Sequence, residues 1–206
     1  KVQRYISNCN AMGIEVMPPD VNASRTDFTP NGDRILFGLS AVRNLGDGAI
    51  RQLIAERQSE GPFRSLADIC DRLPSSVLNR RGMESLIHCG ALDALEPDAN
   101  RAQLIADLEL LLDWASSRAK DRDSGQGNLF DLMATPSETD GATDLSLAPK
   151  AGKIPDYSPT ERLRLEKDLV GFYLSDHPLK QLSPSARLLS PIGLASLEEQ
   201  PDKSKV

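Results

Sequence analysis

The stretch FGLSAVRNLGDGAI, residues 37–50, decides the fold predicted for this chain. Apolar residues at helical spacing lie on both sides of a Gly-Asp-Gly sequence, a pattern that predicts two short helices joined by a tight turn. We place this turn at residues 44–49, where Gly46 and Gly48 can adopt positive φ at little cost. A turn without side chains can also bring its backbone N–H groups close to a phosphate, and the following helix adds partial positive charge at its N-terminus.

These are the properties of a helix-hairpin-helix, which binds the DNA backbone without reading the bases. Asn44 lies within the turn, and Arg43 and Arg51 flank it as candidate phosphate contacts. Asp47 opposes this interpretation, because its carboxylate would repel a phosphate unless it points away. The alternative is that Gly-Asp-Gly is a plain connection between two helices.

A second turn, at residues 88–92, strengthens the DNA-binding interpretation. Here too a glycine joins two predicted helices, so Gly90 and Ala91 are candidate backbone contacts. The helices around this turn carry three arginines that could add positive charge, Arg80, Arg81 and Arg101. Together the two turns predict contact with a nucleic-acid backbone.

The first part of the chain predicts a mainly α fold with a small β element. Residues 1–37 are a lead-in, in which the strand-like pieces IEVM and RILFGL are expected to form a short β-hairpin. Residues 38–118 predict a tandem helix-hairpin-helix bundle of short helices. Ser65 and Asn100 are its expected N-caps, and Gly90 is placed as a C-cap.

The second part of the chain changes in composition. Residues 119–157 are rich in Ser, Gly, Asp, Thr and Pro, which predicts a disordered, flexible linker. A C-terminal helical segment over residues 158–182 is expected to begin with Ser158 as N-cap and Pro159 in the first turn. Residues 183–206 are expected to lead into a further module.

An apolar island, GQGNLFDLM at residues 125–133, interrupts the predicted linker. Gln126 is followed by the adjacent aliphatic and aromatic side chains of Leu129 and Phe130. A disordered segment buries two such side chains by lending them to a partner's pocket. The alternative is that they fold back onto the protein's own surface.

Composition excludes several other classes of protein. The net charge of −6 argues against indiscriminate binding to nucleic acid. No apolar run approaches the roughly 20 residues of a membrane helix, and no signal peptide is evident, so we expect a cytoplasmic protein. The three cysteines form no CxxC pattern, which disfavours a zinc site or a disulfide framework. Phosphate-loop, GxSxG and HExxH motifs are absent.

Four longer stretches carry a resemblance to a known family: residues 12–50, GPFRSLADIC at 61–70, LNRRGMESLIHCGALDAL at 78–95 and LEKDLVGFYLSDHPL at 165–179. They resemble the α subunit of bacterial DNA polymerase III, over about residues 1–182. The resemblance implies the end of the fingers region at 1–37, the tandem helix-hairpin-helix at 38–118 and the clamp-binding region after it, with an OB-fold module beyond. In that family the helix-hairpin-helix pair grips duplex DNA behind the active site.

The resemblance also implies partners and cofactors. The family binds its sliding clamp through a Gln-x-x-hydrophobic-Phe peptide, which Gln126, Leu129 and Phe130 match. Its catalytic aspartates belong to the palm, so we assign no catalytic residue or metal ligand here and expect no cofactor in this segment. Mg²⁺ is expected for the full-length DNA-directed DNA polymerase. Other replisome subunits are expected partners, a membrane is not, and the expected location is the nucleoid-associated cytoplasm.

The sequence therefore predicts a non-catalytic part of a replicative polymerase that contributes processivity by holding duplex DNA and the clamp. Three alternatives belong to other classes. They are a stand-alone helix-hairpin-helix DNA-binding or repair accessory protein, a pure protein-interaction adaptor, and a different catalytic protein.

Overall fold

The computed structural model describes residues 2–123 and 145–173. The fold there is mainly α-helical with one small sheet, as predicted. In chain order the elements are α1 (Val2–Ala11), β1 (Glu15–Met17), β2 (Thr29–Asn31), β3 (Arg34–Leu36), α2 (Asp47–Ser59), α3 (Leu66–Arg72), α4 (Arg80–His88), α5 (Arg101–Asp123) and α6 (Pro159–Val170). Two 3₁₀ turns, Leu39–Ala41 and Leu145–Leu147, complete the regular structure described.

The small sheet has the strand order β1-β3-β2 and corrects the predicted hairpin. The hairpin forms between β2 and β3, around a two-residue loop in which Gly32 has a φ of 64°. β1 does not pair antiparallel with β3 as expected; the two strands are parallel, with Val16 opposite Ile35. A parallel pair requires a crossover connection, and residues 18–28 supply it.

The hydrophobic core lies among the helices that follow the sheet. α5 packs against both α3 and α4, and α6 also packs against α4. Burial of apolar side chains is the main force that holds these helices together. Among the almost fully buried members of this core are Phe37, Leu39, Ile50, Leu53, Leu66, Ile69, Met83, Leu86, Ile87, Leu92 and Leu108.

The predicted helix caps are confirmed. Ser65 Oγ accepts a hydrogen bond from Asp68 N at 3.1 Å, and Asn100 Oδ1 accepts one from Gln103 N at 2.8 Å. Ser158 Oγ likewise caps α6. Each bond satisfies an N–H group that the first helical turn leaves without an intrahelical partner.

α6 ends earlier than the segment predicted over residues 158–182. Gly171 adopts the left-handed conformation, with a φ of 90°, and donates its N–H to Lys167 O at 2.7 Å. A left-handed glycine closes the last turn of a helix at little cost. The helix therefore stops at Val170.

The predicted flexible linker, residues 119–157, does not hold for the parts of it that the structure describes. α5 continues through residue 123. Residues 145–157 lie against α5, where Asp107 Oδ1 accepts from Ala151 N at 2.7 Å and Gln103 Oε1 accepts from Ile154 N at 2.8 Å. Polar side chains of the helix thus hold the backbone of this docked segment.

Candidate nucleic-acid interface

The turn at residues 44–49 has a different geometry from the one expected. Asn44 has a φ of 65° and is the one non-glycine residue with positive φ in the described parts of the chain. Gly46 lies in the extended region, with φ −79° and ψ 150°, and Gly48 is not among the residues with positive φ. The expectation that the glycines supply the left-handed conformation is therefore wrong. Asparagine supplies it, since its short polar side chain tolerates this region.

The N-terminus of α2 presents free backbone donors. Gly46 is the N-cap and makes no side-chain hydrogen bond, and Ile50 N is the first amide to bond within the helix, to Gly46 O at 3.0 Å. The N–H groups of Asp47, Gly48 and Ala49 donate to no other described residue. We call these three donors the amide site. They add to the partial positive charge of the helix end.

The surface at the amide site is open. A Cβ built on Gly46 or on Gly48 would meet no atom within 4 Å, and both residues are exposed. Packing inside the chain therefore does not require glycine at either position. What the two glycines provide is room for an outside group to approach the amides closely.

Contacts from two other helices hold this turn in place. The side-chain amide of Asn44 donates to Ser85 Oγ at 3.0 Å, and Ser85 Oγ donates to Arg81 O at 2.9 Å. Arg43 N–H donates to Leu169 O at 3.0 Å, near the end of α6. The turn is therefore fixed relative to α4 and α6, and this support was not foreseen from the sequence.

The positive charge around the turn is available to a ligand. Arg43 and Arg51 are exposed, and neither forms an ion pair within the described residues. The carboxylate of Asp47 is also exposed, in the first turn of α2, where an acid stabilises the helix end. Its repulsion reduces the attraction for an anion without blocking access to the amides.

The second turn, at residues 88–92, is buried instead of open. Gly90 has a φ of +85° and directly follows the C-cap Cys89, so it closes α4 as the predicted left-handed glycine. Its N–H donates to Ile87 O at 3.0 Å, and Ala91 N–H donates to Leu86 O at 2.9 Å. Ala91 is 1% exposed. The amides that made these two residues candidates are already occupied.

Internal packing also explains the glycine of the second turn. A Cβ on Gly90 would lie 2.3 Å from Nη2 of Arg101, whose guanidinium pairs with Asp93 at 2.6 Å and donates to His88 O at 2.8 Å. This geometry gives no support to Gly90 and Ala91 as DNA contacts, so neither enters the proposal below.

Comparison with known proteins assigns the chain to a family. The model of the helix-hairpin-helix motif matches residues 13–104, which contain both turns. DNA polymerase III subunit alpha of Thermus aquaticus is 41% identical over the whole chain, and that of Neisseria meningitidis serogroup B is 37% identical over 97% of it. The protein of the same name from Deinococcus radiodurans is 40% identical over 88% of the chain.

The chain belongs to the DNA polymerase III α-subunit family. It spans a small part of these relatives, 16% of the Thermus and Neisseria proteins and 13% of the Deinococcus protein. The family resemblance read from the sequence is confirmed.

The described residues include neither the predicted clamp-binding residues, nor a cluster that could hold a metal ion, nor a helix that could span a membrane. Gln126, Leu129 and Phe130, the predicted clamp-binding residues, lie outside residues 2–123 and 145–173. Within those ranges no group of three or more His, Cys, Asp or Glu is placed to hold a metal ion. No helix in the same ranges is long and apolar enough to cross a membrane.

Proposed function

We propose that this chain is the part of a replicative DNA polymerase that binds the backbone of duplex DNA, through the turn at residues 44–49. The observation that carries the proposal is the amide site, which has free donors, open space above both glycines and exposed arginines beside it. A helix N-terminus of this kind favours phosphate. Backbone amides and arginines that contact phosphates carry no sequence information, so binding is independent of base sequence.

The whole protein would then be a DNA-directed DNA polymerase that uses Mg²⁺ at aspartates of its palm. This segment supplies no catalytic residue in the proposal; it slows dissociation of the enzyme from its product. Reading the gene upstream of Lys1 separates a polymerase from a stand-alone accessory protein, because the proposal requires a palm with paired aspartates there.

Two glycine substitutions test the DNA-binding proposal without damaging the fold. In Gly46→Ser the new hydroxyl can accept from one N–H of the amide site, so helix stability should rise by a few tenths of a kcal/mol while that donor is lost to a phosphate. In Gly48→Ala the new methyl group meets no atom of the chain, and alanine stabilises a helix by roughly 0.5–1 kcal/mol relative to glycine. Both variants should therefore be at least as stable as the wild type.

The readout is fluorescence anisotropy of labelled duplexes of unrelated sequence at low salt. We expect both variants to bind about tenfold more weakly, the equivalent of one charge-assisted hydrogen bond. Unchanged affinity in both variants would contradict the proposal. A wild-type chain that ignores duplex DNA at low salt would favour the adaptor alternative.

We also propose that Gln126, Leu129 and Phe130 bind the sliding clamp, on the support of their match to the family's peptide pattern. Such a tether keeps a dissociated polymerase near its template at high effective concentration. Joint exchange of Leu129 and Phe130 for Ala should abolish capture of the chain by immobilised clamp. Asn128→Ala, at a variable position of the pattern, should leave capture intact; capture that survives the double exchange would move the contact elsewhere.

A further inference from the structure

We infer that the DNA-contacting surface continues from the turn at residues 44–49 onto the first turn of α4, where Arg81 binds a second phosphate. This inference rests on the proposed function and names a side chain that was expected to add positive charge to the second turn. In the structure, the N-terminal helical turn of α4 lies beside the interhelical turn at residues 44–49. The contact surface therefore bypasses the buried residues 88–92.

The position of Arg81 follows from hydrogen bonds to the turn. Asn44 Nδ2 donates to Ser85 Oγ at 3.0 Å, and the same hydroxyl donates to the carbonyl of Arg81 at 2.9 Å. A single buried serine thus links the Asn44 side chain to the backbone carbonyl of Arg81. Ser85 is 2% exposed, so water does not compete easily for these bonds.

Close packing keeps α4 against the turn. Gly82 is buried, and a Cβ on it would lie 2.9 Å from Leu78 Cδ1, 3.5 Å from Leu45 Cδ2 and 3.6 Å from Asn44 O. The backbone of α4 at Gly82 therefore lies directly against the turn, within van der Waals reach of Asn44 and Leu45. The residue before it, Arg81, is exposed on the first turn of the helix.

Arg81 differs from Arg80 and Arg101 in its ion pairs. Arg80 already pairs with Glu84 at 2.9 Å and with Glu109 at 3.3 Å. Arg101 has only 6% of its side chain exposed and pairs with Asp93. Arg81 forms no ion pair among the described residues. Of the three arginines expected to assist DNA binding, it is the one that is exposed and forms no ion pair within residues 2–123 and 145–173.

The test compares Arg81→Gln with Arg80→Gln in the full chain. Both variants lose one positive charge from the same helical turn, and glutamine keeps a good helix former at each position. Binding of a duplex is measured by anisotropy over a series of salt concentrations. The plot of log K against log salt has a negative slope, and loss of one phosphate contact lowers the magnitude of that slope by about 1.

We expect this decrease for Arg81→Gln and not for Arg80→Gln. Arg81→Lys should keep the wild-type slope, since a lysine retains the charge. Equal slopes for Arg81→Gln and Arg80→Gln would overturn the inference, because a general loss of positive field would then explain both. If Gly46→Ser and Gly48→Ala weaken binding in that case, the proposed function stands without Arg81. If neither glycine variant nor Arg81→Gln changes binding, both the function and the inference fail.

Discussion

The side-chain amide of Asn44, on the turn before α2, donates a 3.0 Å hydrogen bond to the buried hydroxyl of Ser85 on α4. Asn44 holds the left-handed conformation there, with a φ of 65°. The bond stabilises the conformation that aims the following amides toward solvent. Asn44 therefore acts on the backbone that would carry the phosphate contact, in addition to any contact of its own.

Replacement of Asn44 by Ala should cost about 2–3 kcal/mol, from roughly 1 kcal/mol for the lost hydrogen bond and about 1–2 kcal/mol for a left-handed alanine. Asn44→Gly should cost about 1 kcal/mol less, because glycine adopts positive φ freely. Urea denaturation of both variants measures the difference. Equal losses would show that the backbone conformation of residue 44 contributes nothing to the effect.

The same glycine-to-alanine change should destabilise the second turn much more than the first. Gly90→Ala places a methyl group at a φ of +85° and 2.3 Å from Nη2 of Arg101, so the buried guanidinium must shift from its place beside Asp93. Since a left-handed alanine alone costs roughly 1–2 kcal/mol, we expect a total loss of about 2 kcal/mol or more. Gly46→Ala should cost less than about 1 kcal/mol, because its φ suits any residue and its surroundings are open.

Thermal unfolding followed by circular dichroism checks the comparison of Gly46→Ala with Gly90→Ala. The salt slope of DNA binding by Gly90→Ala, measured where that variant is still folded, should match the wild type, since no accessible amide has been altered. A stable, fully folded Gly90→Ala would contradict the packing described around Arg101.

The docked segment at residues 145–157 should be released by a change on α5. Asp107, which is 7% exposed, accepts from Ala151 N at 2.7 Å and from Gln103 Nε2 at 3.0 Å. Asp107→Ala removes a charge-assisted bond of about 1.5–3 kcal/mol, so the segment should open roughly tenfold or more often. Trypsin should then cut faster after Lys150 and Lys153.

Mass spectrometry of timed trypsin digests gives the two cleavage rates. Asp113→Ala is the matched control, because Asp113 is exposed on the same helix and its side chain makes no hydrogen bond within the described residues. Equal rates in the two variants would mean that Asp107 does not hold the segment.

Features decided by neighbours in sequence could be predicted from the sequence. The caps at Ser65, Asn100 and Ser158 each bond an amide three residues along the chain, so local pattern was sufficient. The left-handed cap at Gly90 belongs to the same group. The family and the mainly helical fold could also be predicted, because longer continuous stretches of the sequence carry the patterns that indicate them.

Features decided by distant residues could not be predicted. The turns at 44–49 and 88–92 look alike in sequence, since each places glycine between helices. They differ because Arg101 fills the space beside Gly90, whereas nothing fills it beside Gly46. Periodicity and turn signals do not encode such long-range packing.

The same limit applies to single side chains. Arg80 and Arg81 are adjacent in sequence, yet one of the partners that occupy Arg80 lies 29 residues away. The partner of Asn44 lies 41 residues away. Which arginine is free to bind an anion is therefore a property of the folded chain.

His88 should make stability depend on pH. Burial lowers its pKa below 6.5, Glu84 opposes this shift by raising the pKa, and Arg101 lowers the pKa further. Its Nδ1 is buried without a hydrogen-bond partner in the described part of the chain, and its ring lies 5.6 Å from that of Tyr157. The native state therefore binds a proton at His88 only at a lower pH than the unfolded chain, in which the pKa is near 6.5.

Because the unfolded state binds more protons, the stability contributed by His88 is fully present above pH 6.5 and is lost as the pH falls from there through the depressed native pKa. Urea denaturation at about pH 7.5 and about pH 5.5 should show a larger loss for the wild type than for His88→Gln. The second histidine, His177, is present in both chains and cancels in the comparison. The same loss in both proteins would assign the pH dependence to other groups.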